Sequence, residues 1–272
     1  MTPASPPPFL MAILNVTPDS FYDGGKFPTV EEAVQRALVM LQEGADIIDI
    51  GGESTGPGSG EVSSEEELGR VIPVIKNLKF KISNSKLSID TYKAEAAEAA
   101  LAAGADMVND VTAGRGDPRM FEVVAKARCH YVMMRSKDDS PRTTKRDVQY
   151  ADVMRTIHAF FEERLAAALR AGIRKEHIIL DPGLGHFVSA DPRYSWEILE
   201  RLEELSDLGC PILVSPSRKS FTAKTPHEPP SERLPGTLEA TRIAVKHGAS
   251  IIRTHDVGET RKLIDETSAV AQ

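Results

Sequence analysis

The chain repeats one pattern from end to end: a short apolar run closes on a carboxylate, an amide or a base, and a stretch with helical spacing follows. The runs end at Leu14-Asn15, Ile48-Asp49-Ile50-Gly51-Gly52-Glu53, Ile89-Asp90-Thr91, Val108-Asn109-Asp110, Leu180-Asp181-Pro182-Gly183, Val214-Ser215-Pro216-Ser217-Arg218-Lys219 and Ile252-Arg253-Thr254-His255-Asp256. Apolar runs this short, set between helical stretches, are those of parallel strands buried on both faces. Their C-terminal ends are then the natural place for polar side chains, and many such ends converging on one mouth make an active site.

Strands are expected over 9-16, 46-51, 86-90, 106-111, 129-134, 177-181, 211-215 and 250-254. Helical periodicity covers 30-44, 64-78, 92-103, 118-127, 151-172, 192-207, 237-248 and 258-268, with Gly44, Gly104, Gly172 and Gly248 where a left-handed C-terminal cap is wanted. Eight such units without a break in composition predict an α/β fold, a single (β/α)8 TIM barrel over 9-272, preceded by a loose Pro-rich arm over 1-8. A doubly wound sheet is the competitor. It usually carries a Gly-x-Gly-x-x-Gly turn after an early strand, and that turn is absent. Three long strand-to-helix loops, 17-29 (loop one), 52-63 (loop two) and 135-150 (loop five), are expected to act as lids.

The net charge of −7 argues against a nucleic-acid partner, since no basic run interleaved with aromatics offsets it. No apolar stretch approaches the ~20 residues needed to span a bilayer, so a cytoplasmic protein is expected. Cys129 and Cys210 lie on apolar runs without metal-type spacing and are expected to be reduced core thiols.

Asp90, Asn109 and Asp181 at strand ends, with Lys219 just beyond another, form the most telling polar set. A carboxylate in such a pocket needs hydrogen-bond donors, and a planar heterocycle with an amino-amidine edge would suit Asp181 and Asn109, with Lys219 on its carbonyl. Internal salt bridging of Asp90 or Asp181 with Lys219 is the other reading. Arg253 and His255, two apart on an extended backbone, point the same way at a frequent phosphate site of such barrels. His255 also reads as a hydrogen-bonded residue opening the last helix. Asn15 is placed to ligate a hard cation such as Mg²⁺, or to form an Asx-turn before Thr17-Pro18.

The blocks Leu14-Asn15-Val16-Thr17-Pro18-Asp19-Ser20-Phe21, Ile48-Asp49-Ile50-Gly51-Gly52-Glu53-Ser54-Thr55, Ser88-Ile89-Asp90-Thr91, Asn109-Asp110-Val111-Thr112, Asp181-Pro182-Gly183, Ser217-Arg218-Lys219-Ser220-Phe221 and Arg253-Thr254-His255-Asp256-Val257 resemble the signature of the dihydropteroate synthase family. They stand in the family's order and span nearly the whole chain. The resemblance implies condensation of 6-hydroxymethyl-7,8-dihydropterin diphosphate with 4-aminobenzoate to 7,8-dihydropteroate and diphosphate. It implies that Asp90, Asn109, Asp181 and Lys219 hold the pterin, with Arg253 stacked on one ring face and Met134 near the other. Asn15 would hold Mg²⁺ against the diphosphate, whose oxygens fall to Thr55, Arg253 and His255. Ser217 and Lys219 would lie near the aminobenzoate, Asp19 would face a pterin cation, and two copies would pair as a homodimer.

Three departures from the family's pattern stand out. Gly56 follows Ser54-Thr55 where an Arg is common, the segment after Asp181-Pro182-Gly183 reads Gly185-His186-Phe187-Val188, and Met133-Met134-Arg135 replaces Met-His-Met. The first leaves the diphosphate short of a cation unless Arg115 or Arg135 supplies it; the second alters the aromatic wall of the aminobenzoate pocket and with it the response to sulfonamides. A weakly catalytic pterin-binding paralogue and a pterin-dependent methyltransferase are the competing functions.

Overall fold

The computed structural model describes residues 6–17, 29–82, 84–225 and 227–270. Asp19, most of loop one and the start of the N-terminal arm lie outside them.

Strands β1 (Phe9–Asn15), β2 (Ile47–Gly51), β3 (Lys86–Asp90), β4 (Met107–Asp110), β5 (His130–Met134), β6 (Ile178–Asp181), β7 (Leu213–Val214) and β8 (Ile251–Thr254) form one parallel sheet. Its order is β6-β5-β4-β3-β2-β1-β8-β7. The two end strands meet through a parallel bridge between Leu180 and Ile212, beside a 2.9 Å hydrogen bond from the Leu180 N–H to the Pro211 carbonyl. That meeting closes the barrel and removes the doubly wound alternative, whose sheet stays open. Helices α1 (Val30–Gln42), α2 (Ser64–Lys81), α3 (Ala94–Ala103), α4 (Met120–Ala127), α5 (Val153–Arg170), α6 (Arg193–Glu200), α7 (Leu234–Lys246) and α8 (Val257–Val270) follow the strands in turn.

Side-chain alternation along the strands sorts the interior into layers. Met11, Ile47, Met107, Val132, Ile179, Leu213 and Ile251 form one buried cluster, the apolar floor of the barrel. Each such side chain contributes about 1.5–3 kcal/mol when fully buried. Two residues further along those strands stand Ile13, Asp49, Asn109, Met134, Asp181, Ser215 and Arg253, so the next layer is mostly polar. The intervening residues, among them Leu10, Ile48, Val108 and Leu180, face the helices and join the larger core.

Local departures from the expected elements have local causes. The expected strand 211-215 shrinks to Leu213–Val214 between Pro211 and Pro216, which have no N–H for a ladder. The expected helix 192-207 breaks at Arg201 (φ −111°, ψ 16°) and continues as a 3₁₀ helix over Leu202–Leu208. Gly44, Gly104, Gly172 and Gly248 all take positive φ; at Gly104, φ 114° lets its N–H reach back to the Leu101 carbonyl at 3.1 Å. Cys129 and Cys210 are buried free thiols. No helix among the described residues is long and apolar enough to cross a membrane.

Candidate active site

A single pleat row brings the first site residues together. Asn15 pairs with Gly51, Gly51 with Asp90, and Asp90 with Asn109, across β1 to β4. Gly51 is where a side chain would intrude: a Cβ there would lie 3.6 Å from both Asn15 Oδ1 and Asp90 Cβ. The bare glycine keeps the space between the amide and the carboxylate open. On the far side of the barrel Met134 pairs with Asp181.

Arg253 is the electrostatic centre. Its Nε donates to Asp49 Oδ2 at 2.6 Å and its Nη2 to Asp90 Oδ2 at 2.7 Å. Asn109 Nδ2 donates to the same Asp49 oxygen at 2.9 Å, which leaves the side-chain Oδ1 of Asn109 as the acceptor on offer. Burial pushes the Asp90 carboxyl up to about 7; Arg253 opposes the rise, and Asp49, Glu67 and Asp110 add to it. Asp90 therefore pairs with Arg253, and the expected alternative of an Asp90–Lys219 bridge does not form.

Asp181 and Lys219 are buried neighbours without a close bridge. One Asp181 oxygen accepts the Gly183 N–H at 2.8 Å, and the Lys219 ammonium lies 5.1 Å over the Phe187 ring. Burial raises the Asp181 pKa against the pull of Lys219, and burial lowers Lys219 to about 8 against the pull of Asp181. Each group is short of a partner. Ser217, Arg218 and Lys219 sit on a turn in which Arg218 takes φ 54°, a left-handed conformation that costs a non-glycine residue energy. The turn is held by the Arg218 N–H on Thr237 Oγ1 at 2.9 Å, Arg218 Nε on Asp256 at 3.0 Å, and Arg233 on the Arg218 carbonyl at 3.0 Å.

His255 is the hydrogen-bonded residue opening the last helix that the sequence offered as one of its two readings. It stands just before α8, and its backbone N–H donates to Ser217 Oγ at 3.1 Å while its Nδ1 lies 3.0 Å from the same oxygen. Burial, with Arg253 next in weight, drops its pKa to about 4, so the ring is neutral near pH 7. The Ser217 hydroxyl, already accepting the N–H, donates to Nδ1 and leaves Nε2 as the protonated nitrogen. Histidine here offers a neutral donor, and Arg253 alone of the two carries charge. A cavity of about 350 Å³ opens beside Asn15, Arg36, Arg218 and His255.

Tyr92, Val111 and Met134 form a small apolar cluster with Phe187 packed against it, so an aromatic wall is present despite the altered segment around His186. Thr55 and Asp90 line a small pocket with Glu53 and Tyr92. Arg115 is spent on the Ser136 and Asp138 carbonyls at 3.3 Å, and Arg135 donates to the Tyr150 hydroxyl at 3.1 Å. Both make contacts with loop five. Among the described residues no group of three His, Cys, Asp or Glu side chains is arranged to hold a metal.

The family model for pterin binding enzymes matches residues 11–255. The chain belongs to the pterin binding enzyme family. It is 43% identical over 250 residues to the dihydropteroate synthase of Synechocystis, covering 92% of this chain and 85% of that one. The dihydropteroate synthase of Xanthomonas albilineans with 4-aminobenzoic acid superposes with a TM-score of 0.90 at 42% identity, over 97% of this chain and 93% of that one. The same enzyme with 7,8-dihydropteroate gives 0.85 at 41%, over 97% and 94%.

Within this family fold, Asp49 is the residue that sequence reading passed over. It is fully buried, holds both Arg253 and Asn109, and keeps its second oxygen without a partner. A signal existed: Asp49 lies in the middle of a strand whose five residues are all buried, and a charge placed there requires a counter-charge.

Proposed function

We propose that the protein is a dihydropteroate synthase, joining 6-hydroxymethyl-7,8-dihydropterin diphosphate and 4-aminobenzoate to give 7,8-dihydropteroate and diphosphate. The observation that carries this reading is the unmatched polar set at the mouth. Asp181 and the side-chain Oδ1 of Asn109 offer acceptors to an amino-amidine edge, and Lys219 offers a donor to the ring carbonyl opposite. Arg253, its plane fixed by Asp49 and Asp90, packs on one ring face, with Met134 towards the other.

None of these groups is a nucleophile, and the chemistry asks for none. The bond from the methylene carbon to the diphosphate oxygen breaks heterolytically, the dihydropterin spreads the positive charge, and the aromatic amine attacks the methylene and loses its proton to water. Arg253 and the His255 Nε2–H stabilise the departing anion, together with Thr55. Asn15 fits Mg²⁺, because its hard amide oxygen faces the mouth beside Asp90 across the bare Gly51 and would hold the ion with waters and substrate phosphates as its other ligands. When bound, the ion neutralises the leaving group. The role that the family resemblance gives Asp19 of loop one is to counter the pterin cation. Ser217 and Lys219 flank the aminobenzoate, whose site is also where sulfonamides compete. The protein works as a cytoplasmic homodimer.

Incubating the purified protein with the pterin diphosphate, 4-aminobenzoate and Mg²⁺ should yield dihydropteroate, and chelating the metal should stop it. Pterin binding without product would reduce the protein to a pterin-binding paralogue.

A further inference from the structure

Loop two carries Glu53 and Glu61 and no Lys or Arg anywhere over 52–63, although its Glu53 and Thr55 line a small pocket beside Asp90. Its conformation is held in part from outside. Glu53 is buried under two other segments: from the one after β3, Lys93 Nζ donates to Oε2 at 2.5 Å and the Tyr92 hydroxyl to Oε1 at 3.2 Å, and from loop five the Arg142 guanidinium pairs with Oε1. Arg142 comes from loop five. Its Nε donates to the Gly60 carbonyl at 3.2 Å, and the next residue's N–H, that of Thr143, donates to the Thr55 carbonyl at 3.1 Å. The guanidinium thus lies between the two limbs of loop two, with the Tyr92 ring 6.0 Å away.

Loop five is in turn fixed to the loop after β6. Lys137 Nζ and Thr143 Oγ1 both donate to the His186 carbonyl, at 2.6 and 2.8 Å. Loop two, rich in glycine, has a short turn of its own, with the Ser59 N–H and hydroxyl on the Gly56 carbonyl at 3.2 and 2.8 Å and the Val62 N–H on Glu53 at 3.4 Å; the clamp adds order that the rest of its backbone would otherwise lose to conformational entropy.

We propose that Arg142 is the positioning residue of loop two, bringing in from loop five the cation that loop two lacks and holding Thr55 at the mouth for the leaving diphosphate. This rests on the synthase reading above. Lys93 also joins both limbs, Glu53 and the Val62 carbonyl at 2.5 and 2.6 Å, from the segment after β3; Arg142 is the residue that ties them, through Glu53 and Gly60, to loop five.

The test compares wild type, Arg142→Ala and Arg142→Lys by three measurements: turnover, affinity for a phosphate-free pterin by calorimetry, and hydrogen exchange of the loop-two amides. Arg142→Ala should lower kcat about tenfold, speed exchange over 54–62, and leave phosphate-free pterin affinity within about twofold. Arg142→Lys keeps the charge on Glu53 and should recover part of both kcat and exchange protection. Wild-type turnover in Arg142→Ala, or slowed turnover with unchanged loop-two exchange, overturns the proposal. Should Arg142→Ala fail to fold, Arg142→Lys carries the same comparison, and full activity with unprotected loop-two amides would overturn it. If the wild type itself makes no dihydropteroate, the synthase reading fails, while exchange in loop two still decides whether Arg142 holds the loop.

Discussion

In the half of the mouth built on β2, β3, β4 and β8, charges settle one another across strands: Asp49 holds Arg253 and Asn109, and Arg253 holds Asp90. In the half built on loops, charges settle one another on loop side chains: Lys93 and Arg142 reach Glu53 from other segments, and Lys137 pairs with Asp138 within loop five at 2.6 Å. The first arrangement fixes a planar ligand in a dry site and tolerates little change. The second fixes the path of a backbone and can be loosened without destroying the fold. Specific recognition and a reversible step thus sit on different supports within one barrel.

The largest effect should come from removing the hub of the rigid half. Asp49→Ala leaves the Arg253 guanidinium with one carboxylate and the Asn109 amide with none, and breaking a buried pair in this way costs about 3–5 kcal/mol. Denaturant unfolding and pterin calorimetry should both register it. A loss no greater than that of a surface substitution would mean that the strand-borne half is not pre-organised.

Next come the groups that lack partners until a ligand arrives. Asp181→Asn and Lys219→Ala should each weaken binding of a phosphate-free pterin by about 2–3 kcal/mol, because each removes a charge-assisted hydrogen bond in a dry pocket. Folding stability should hardly fall, in contrast to Asp49→Ala, since neither side chain is engaged in a tight ion pair. Unchanged calorimetry in either variant would remove that residue from the site.

Asn15→Ala should act on the leaving-group side alone, raising the Mg²⁺ concentration needed for half-maximal turnover about tenfold while phosphate-free pterin affinity stays put. Turnover that needs no divalent ion in either protein would break the assignment.

Titration separates the same regions. Burial depresses Lys219 to about 8, so its ammonium is lost as pH rises through that value instead of through the ordinary 10.5. By linkage the depressed pKa disfavours the free fold in full below about pH 8, where a charge is buried; the cost shrinks as pH rises from there and is gone above the ordinary 10.5. Pterin affinity should therefore fall on the alkaline side of about pH 8. Lys219→Arg, whose guanidinium stays charged, should abolish that limb whatever it does to affinity. A profile flat to pH 9.5 in the wild type would show that Lys219 does not meet the ligand as a cation.

Much of this was readable before any fold was known, and the reason is periodicity. Buried parallel strands announce themselves as apolar runs, and a strand end is the one place where Asn15, Asp90, Asn109 and Asp181 could all be polar without penalty. Asp49 escaped because it lies mid-strand, where the same rule leads one to expect an apolar residue. The clamp on loop two escaped for a different reason: Glu53 and Arg142 are far apart in sequence and neither sits on a periodic element, so only the folded loops bring them together. Arg115 and Arg135, the residues the sequence offered as sources of a loop-two cation, both make contacts with loop five.

The smallest effect tests the loop-borne half directly. A Cβ at Gly56 would meet only Ser54 Oγ, at an ordinary 3.5 Å, and its backbone is not left-handed, so Gly56→Arg fits without strain. If Arg142 already balances loop two, the added guanidinium finds a loop whose order and charge are largely provided for. Turnover should then rise by no more than about threefold, or under about 0.7 kcal/mol. The same substitution made on top of Arg142→Ala should help more, because it returns a cation to a loop that has none. Such non-additivity is the mark of two residues serving one function. Steady-state kinetics of the four proteins in the cycle decides the matter. A tenfold gain from Gly56→Arg in the wild-type background would mean that loop two was short of charge all along and that Arg142 serves the fold alone.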